Sequence, residues 1–330
     1  MSCWYKDNLD ERNIVVSSRV RLARNLSDLP FSFKMTKDML KTLKNRVKSA
    51  VAELSIPLKF IEMDDVPKLE IDAMVERHVI SPDFAKNSEG RAIAISDDES
   101  ISIMIGEEDH LRIQVIKAGL TLKEAYEIAD KIDTELNARL NFAFDPELGF
   151  LTECPTNIGT GLRASIMLHL PLLEHLGEMS GIYDAVAKIG LTIRGTYGEG
   201  SGCAASLYQV SNQITLGISE TAAIENLMAI AERIVERENN CREMAERLEI
   251  EDSVMRAYGI LKNARILTSE EFMKLISRIK LGLSLGIIDT EVSPVSLLVE
   301  AGPAMLMRKY GSMTPRERDE TRAKMIRELL

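Results

Sequence analysis

Aromatic side chains make up only 5% of the 330 residues, and cysteine and histidine occur four times each. The cysteines, at positions 3, 154, 203 and 241, stand too far apart for CxxC pairs or a zinc-ribbon spacing, so reduced thiols in a cytoplasmic protein fit best. His78, His110, His169 and His175 are scattered and form no HExxH pair, which argues against a dedicated metalloenzyme. No apolar run reaches the roughly 18 residues of a membrane-spanning helix, and the start, MSCWYKDNLDER, has no apolar signal-peptide core. The expectation is a protein neither secreted nor membrane-spanning. Acidic residues exceed basic ones, 51 to 41, and the net charge of -10 argues against a nonspecific nucleic-acid surface. Any anion site has to be a local basic cluster. With 45% hydrophobic residues the chain has ample material for a core, and its length suggests about two domains.

The stretch GFLTECPTNIGTGLRASIM, residues 149 to 167, organises the middle of the chain. It reads as a short strand ending near Thr152, a Cys154-Pro155-Thr156-Asn157 turn, glycines at 159 and 161, and Arg163 opening an apolar helix. Glycines let backbone approach a ligand closely, and a helix N-terminus favours an anion. Gly159-x-Gly161-x-x-Ala164 fits the loose dinucleotide pattern, but no parallel strand and ribose-binding acid follow. A P-loop is excluded, because its lysine and hydroxyl are missing. A glycine turn before a core helix is the plain alternative.

Along the rest of the chain, IVVSSRVRLAR reads as a strand whose Arg19 and Arg21 share a face. Two guanidiniums side by side suggest a phosphate between them; a solvated edge strand is the alternative. A helical pattern covers residues 37 to 54, PLKFIEM suggests a strand, and a short helix leads to His78, a position more often structural than functional. RAIAI, ISIMI and LRIQVIK, separated by polar turns, predict an antiparallel meander. Glu107, Glu108 and Asp109 crowd the second turn, where a cation would relieve their repulsion unless the turn is simply exposed. Thr121-x-x-Glu124 predicts a capping box on a helix to about residue 138. A helix over 162–176, interrupted by Pro171, which kinks or restarts it, precedes the strand KIGLTIRG. The loop GTYGEGSG around Glu199 is either a mobile lid or a long hairpin, and SLYQVSN and QITLG read as further strands. A long helix runs from Ser219 to about Leu248, and helical patterns fill 250–330, with capping boxes at Thr268-x-x-Glu271 and Thr314-x-x-Glu317.

Arg19, Arg21, Arg112, Arg163 and Arg194 all fall beside turns, where one sheet-based site could collect them around a polyanion. Glu108 and Glu199 stand in two different turns, free for a cation. In order, SSRVR (17–21), EEDHLR (107–112), CPTNIGTGLRAS (154–165) and RGTYGEGS (194–201) resemble the signature set of the ATP:guanido phosphotransferase, or phosphagen kinase, family. The resemblance extends through the C-terminal part, and within the family it is to the bacterial protein-arginine kinases.

That resemblance implies an α+β fold, an antiparallel β-sheet flanked by helices over residues 1–249, with an all-helical dimerisation and phosphoarginine-sensing part over 250–330. It assigns ATP binding to Ser17, Ser18, Arg19, Val20, Arg21, His78, Arg112, Arg163, Ala164, Ser165, Ile166, Met167, Arg194, Gly195, Thr196, Tyr197, Gly198 and Glu199. Glu108 and Glu199 match the glutamates that hold the acceptor guanidinium, and Cys154 matches the active-site cysteine, a thiol that could also simply pack. Mg²⁺ is expected to bridge the ATP phosphates without many protein ligands. Gly106 stands where the family usually has Asn, which should alter the flexibility of the turn and leave the acids in place. Arg318, Asp319, Arg322 and Ala323 match the RDxxRA phosphoarginine-sensing motif, although arginines four apart are otherwise an ordinary solvated helix face. Small-guanidine kinases carry a helical domain before SSRVR, whereas 16 residues precede Ser17 here, so an acceptor arginine on a protein is favoured over free arginine or a phosphoarginine-binding adaptor. By the same resemblance the expected partners are a second copy of the chain, a zinc-binding activator, a heat-shock repressor and a Clp-type protease.

Overall fold

The computed structural model describes residues 3–6, 12–195 and 204–330. In chain order the first part holds β1 (Val15–Arg24), α1 (Lys37–Ala52), β2 (Lys59–Glu62), α2 (Lys68–Glu76), α3 (Pro82–Lys86), β3 (Ala92–Ile95), β4 (Ile101–Ile105), β5 (Leu111–Ala118) and α4 (Leu122–Leu140). A small hairpin, β6 (Phe144–Asp145) with β7 (Gly149–Phe150), precedes β8 (Leu162–His169), α5 (Pro171–His175), α6 (Met179–Ala187), β9 (Leu191–Gly195) and β10 (Leu207–Asn212). Helices follow: α7 (Glu220–Met244), α8 (Arg247–Asn263), α9 (Ser269–Ser284), α10 (Pro294–Glu300), α11 (Pro303–Tyr310) and α12 (Pro315–Leu329).

Among the described residues, eight strands form one antiparallel sheet in the order β2-β3-β4-β5-β1-β8-β10-β9. Strand alternation sorts its two faces. Val20, Leu22, Ile113, Val115, Ala164, Ile166 and Val210 turn to one face, where α1, α4 and α7 lay Leu43, Val47, Ala129, Leu136, Leu227 and Ile234 on them. The opposite face receives Arg19, Arg21, Arg112, Arg163 and Arg194. A separate apolar cluster, built on Leu261, Phe272, Ile276, Ile279, Leu306 and Ile326, holds the C-terminal helices together, while Ile250 and Val254 of α8 pack into the core of the sheet. The expected antiparallel sheet with flanking helices and a helical C-terminal region is the observed architecture.

Several local expectations are corrected. Residues 162–169 form a strand, β8, in which Leu162, Ala164, Ile166 and Leu168 turn to the core and Arg163, Ser165 and Met167 to the other face; the apolar Met167 breaks the contrast of that alternation in the sequence. Of the two outcomes expected at Pro171 the restart is observed, since it opens α5 as the first helical residue. Thr121 does not cap α4: its Oγ1 donates to the Ala118 carbonyl at 3.0 Å, and its own N–H donates to Ser18 Oγ at 3.0 Å. QITLG is no strand, because Thr215 is drawn onto the glycine loop, donating through Oγ1 to the carbonyls of Thr156 (3.0 Å) and Ile158 (2.7 Å). The long helix ends at Met244, and α8 begins anew at Arg247. At Thr314 the capping box is complete; Thr268 accepts from Glu271 N at 3.2 Å.

Candidate active site

β1 is the key element, and it lies between β5 and β8, not at an edge. Its register sets Arg21 directly opposite Arg163 on β8 and opposite Gln114 on β5, and Arg19 opposite Ser165. Arg112 on β5 and Arg194 on β9 share the same face by the same alternation. Like charges on facing positions of neighbouring strands are destabilising, and few counter-charges offset them. Arg19 Nη2 donates to Gln209 Oε1 at 2.8 Å; Arg163 donates through Nε to Asn157 Oδ1 and through Nη2 to Thr156 Oγ1, both at 3.2 Å. Arg21 Nε is buried with no hydrogen-bond partner among the described residues. Burial, and then the Arg112 guanidinium, hold Arg19 down to about 10; burial followed by Arg19 pushes Arg21 well below the usual guanidinium range. Burial and then Arg194 lower Arg163. An anion laid across these side chains would relieve all of them at once.

Arg19, Arg21 and Arg112 line a cavity of about 600 Å³. His78, at φ +60°, forms part of its wall; its carbonyl accepts from Gln114 Nε2 at 2.8 Å and its ring lies 6.0 Å from that of Trp4. Burial and then Arg19 push its pKa down to about 4, so the ring is neutral at pH 7. Ser17, Ser165 and Met167 also face this cavity, whereas Ser18, Val20, Ala164 and Ile166 are fully buried, the last three in the opposite core. Ser18 Oγ instead donates to the Gly119 carbonyl at 2.8 Å, anchoring the entry to α4. Gly195 ends β9; Thr196, Tyr197, Gly198 and Glu199 lie outside the described residues.

A second cavity, of about 640 Å³, opens on the acidic turn and is lined by Gly106, Glu107, Glu108, Glu153 and Arg112, so that Arg112 belongs to both. The crowded acids find their cations and donors within the chain. Glu107 pairs with Arg112 Nη1 at 2.6 Å and accepts from Ser81; Asp109 accepts from Asn25 Nδ2 at 2.7 Å and from the Glu153 N–H at 2.8 Å. Only Glu108 projects outward, its side chain 41% exposed and 3.7 Å from Arg112 Nη2; burial first and Asp109 second raise its pKa. Gly106 takes φ +82° and its N–H closes the turn on the His110 carbonyl at 3.0 Å, a left-handed position that Gly and Asn adopt most readily. His110 Nδ1 accepts from the Leu26 N–H at 3.0 Å and Nε2 lies 2.9 Å from the Pro30 carbonyl, which fixes the proton on Nε2.

Cys154 is half-buried, its Sγ 3.1 Å from Thr156 Oγ1, the hydroxyl that Arg163 also touches. The glycine pair serves the chain itself: a Cβ on Gly159 would lie 2.1 Å from the Thr215 carbonyl oxygen, and one on Gly161 2.6 Å from Arg24 Nη1. The RDxxRA segment lies on α12, away from both cavities. Arg322 is buried, donating to the carbonyls of Ala301 (2.9 Å) and Leu267 (2.7 Å) and pairing with Asp319 at 2.7 Å, while Arg318 reaches Met307 Sδ at 3.8 Å. Ala323 packs in the helical core. The two guanidiniums therefore do not form one open fork. Sequence reading passed over Gln209, Gln114 and Asn157; on β10 and β5 the same alternation that marks the arginines would have found the two glutamines.

The ATP:guanido phosphotransferase C-terminal catalytic domain family matches residues 39–241, and the protein-arginine kinase McsB C-terminal domain family matches residues 247–330. The chain is 44% identical to a protein-arginine kinase of Halothermothrix orenii over 99% of this chain and 96% of that one, and 44% identical to another of Symbiobacterium thermophilum over the same shares. Its fold is similar to the crystal structure of lombricine kinase, with a TM-score of 0.64 and 22% identity over 74% of this chain and 73% of that one. The chain belongs to the ATP:guanido phosphotransferase family and, within it, to the protein-arginine kinases.

Proposed function

We propose that the chain is an ATP-dependent kinase that transfers the γ-phosphate of ATP to the guanidinium of arginine side chains in proteins. One observation carries the reading: Arg112 stands at the junction of an arginine-lined cavity and an acidic one, where a phosphoryl group would pass between donor and acceptor. Phosphoryl transfer is catalysed mainly by positioning and charge stabilisation. Arg19, Arg21, Arg112, Arg163 and Arg194 hold the triphosphate, and Mg²⁺ arriving with the nucleotide would neutralise part of its charge. A guanidinium has a pKa above about 12 and is a poor nucleophile while protonated. Glu108, with Glu199 outside the described residues, grips it through paired hydrogen bonds, aligns one nitrogen with the γ-phosphorus and accepts its proton. Cys154 borders the acceptor through Thr156 and Arg163.

The further roles follow the resemblance. The catalytic part spans residues 1–249 and the helical part 250–330, a division supported by the two family matches. Exposed Leu248, Met255 and Ile260 on α8 suit a contact with a second copy. Arg318, Asp319, Arg322 and Ala323 sense phosphoarginine, which would compete with Asp319 for Arg322. A zinc-binding activator, a heat-shock repressor and a Clp-type protease are the proposed partners, in the cytoplasm. Among the described residues no helix is long and apolar enough to cross a membrane.

Glu108→Gln tests the acceptor assignment. Transfer to protein should fall by at least about 100-fold with ATP affinity unchanged. Retained transfer would remove Glu108 from the reaction.

A further inference from the structure

The cavity that holds the arginines is not closed by the sheet alone. Its far wall comes from the C-terminal helices: Phe272 and Met273 of α9, Val295 and Leu298 of α10, and the Gly302-Pro303 start of α11. At that end Val16 and Leu207 of the sheet pack with Val295, and Met167, Met273 and Leu298 complete the cluster. The cavity is thus strongly basic at one end and apolar at the other.

The wall is fastened to the edge that carries His78. Both oxygens of Glu76, the last residue of α2, accept backbone N–H groups at the start of α11, from Ala304 and Met305, each at 2.9 Å. A Cβ on Gly302 would lie 2.4 Å from Glu76 Oε2, so glycine lets the carboxylate seat. Glu70 of the same helix pairs with Arg308 of α11 at 2.7 Å and with Arg77, the neighbour of His78, at 2.8 Å. These contacts fix the distance between the wall and the arginines.

We infer that α9 and α10 supply the surface against which the purine base of the nucleotide lies, with Met167 from the sheet and Met273 from α9 as its principal apolar contacts. A nucleoside triphosphate has the polarity of the cavity, a polyanion joined to a flat and polarisable ring, and thioethers pack favourably on such rings. The nucleotide site is then shared between the catalytic sheet and the helical part, and ATP affinity and the seating of the C-terminal helices are linked. This rests on the kinase reading above.

Two probes separate the ends of the cavity. ADP uses both, whereas inorganic tripolyphosphate uses only the arginines. Calorimetric titration of the full chain with each probe, in the presence of Mg²⁺, is compared among wild type, Met273→Ala and Met273→Gln, the last keeping the side-chain volume. Both variants should bind ADP about tenfold more weakly and tripolyphosphate as wild type does. Unchanged ADP affinity in both variants would overturn the inference, as would an equal loss for the two probes. Failure of the wild-type chain to bind either probe would instead remove the kinase reading, and this inference with it.

Discussion

Arg21 and Arg163 face each other across neighbouring strands, and burial together with the nearby guanidiniums lowers the pKa of both. Such an arrangement costs stability in the empty protein and is offset when a polyanion binds. Arg21→Met should therefore raise the thermal midpoint of the nucleotide-free chain by about 2 °C, a gain of up to about 1 kcal/mol, while abolishing calorimetric ATP binding. A lower midpoint with ATP binding intact would show that Arg21 supports the fold instead. The arginines were legible because the spacing of Arg19 and Arg21 in a strand already fixes their common face. The acidic turn was read only in part: repulsion among Glu107, Glu108 and Asp109 does call for donors and cations, but Asn25, Ser81 and Arg112, distant or on the next strand, supply them. No local pattern announces such partners.

At the scale of elements, the glycine loop before β8 is where the sequence reads least faithfully. A glycine pair before an apolar run suggests a ligand loop and a helix, yet both glycines admit other parts of the chain, and the run is a strand with one face in the core and Ser165 and Met167 toward the cavity. Phe150 and Gly159 exchange backbone hydrogen bonds at 2.7 and 3.3 Å, and the Thr160 N–H donates to Thr215 O at 2.9 Å. Gly159, at φ +109°, has no room for a side chain. Gly159→Ala should destabilise the protein by about 3 kcal/mol and lower its thermal midpoint by roughly 5 °C or more. A midpoint within about 1 °C of wild type would mean that this crossing is not fixed as described. By contrast, the meander β3–β4–β5 was legible because polar turns separate three short apolar runs, and the helices α1 and α7 because each keeps a helical period with one buried face.

For the molecule as a whole, the sheet collects side chains that lie far apart in sequence. Arg19 and Gln209 are 190 residues apart and joined at 2.8 Å, and Glu76 reaches 228 residues to the start of α11. The motifs signalled that the arginines converge, because Arg19 and Arg21, Arg112, Arg163 and Arg194 recur in four separate motifs, whereas Gln209 gave no such signal. The reach of Glu76 was silent in the sequence, since a glutamate capping a distant helix looks like any surface glutamate. The function proposed for this assembly stands or falls with its acceptor, an arginine of a protein. Its most direct test offers ATP and Mg²⁺ with free arginine and with an arginine-rich unfolded protein side by side, and follows the acid lability of the product, because a P–N bond hydrolyses in acid where phosphoserine survives. Acid-labile phosphate is expected on the protein and none on free arginine. Label on free arginine alone, or acid-stable label on the protein, would contradict it.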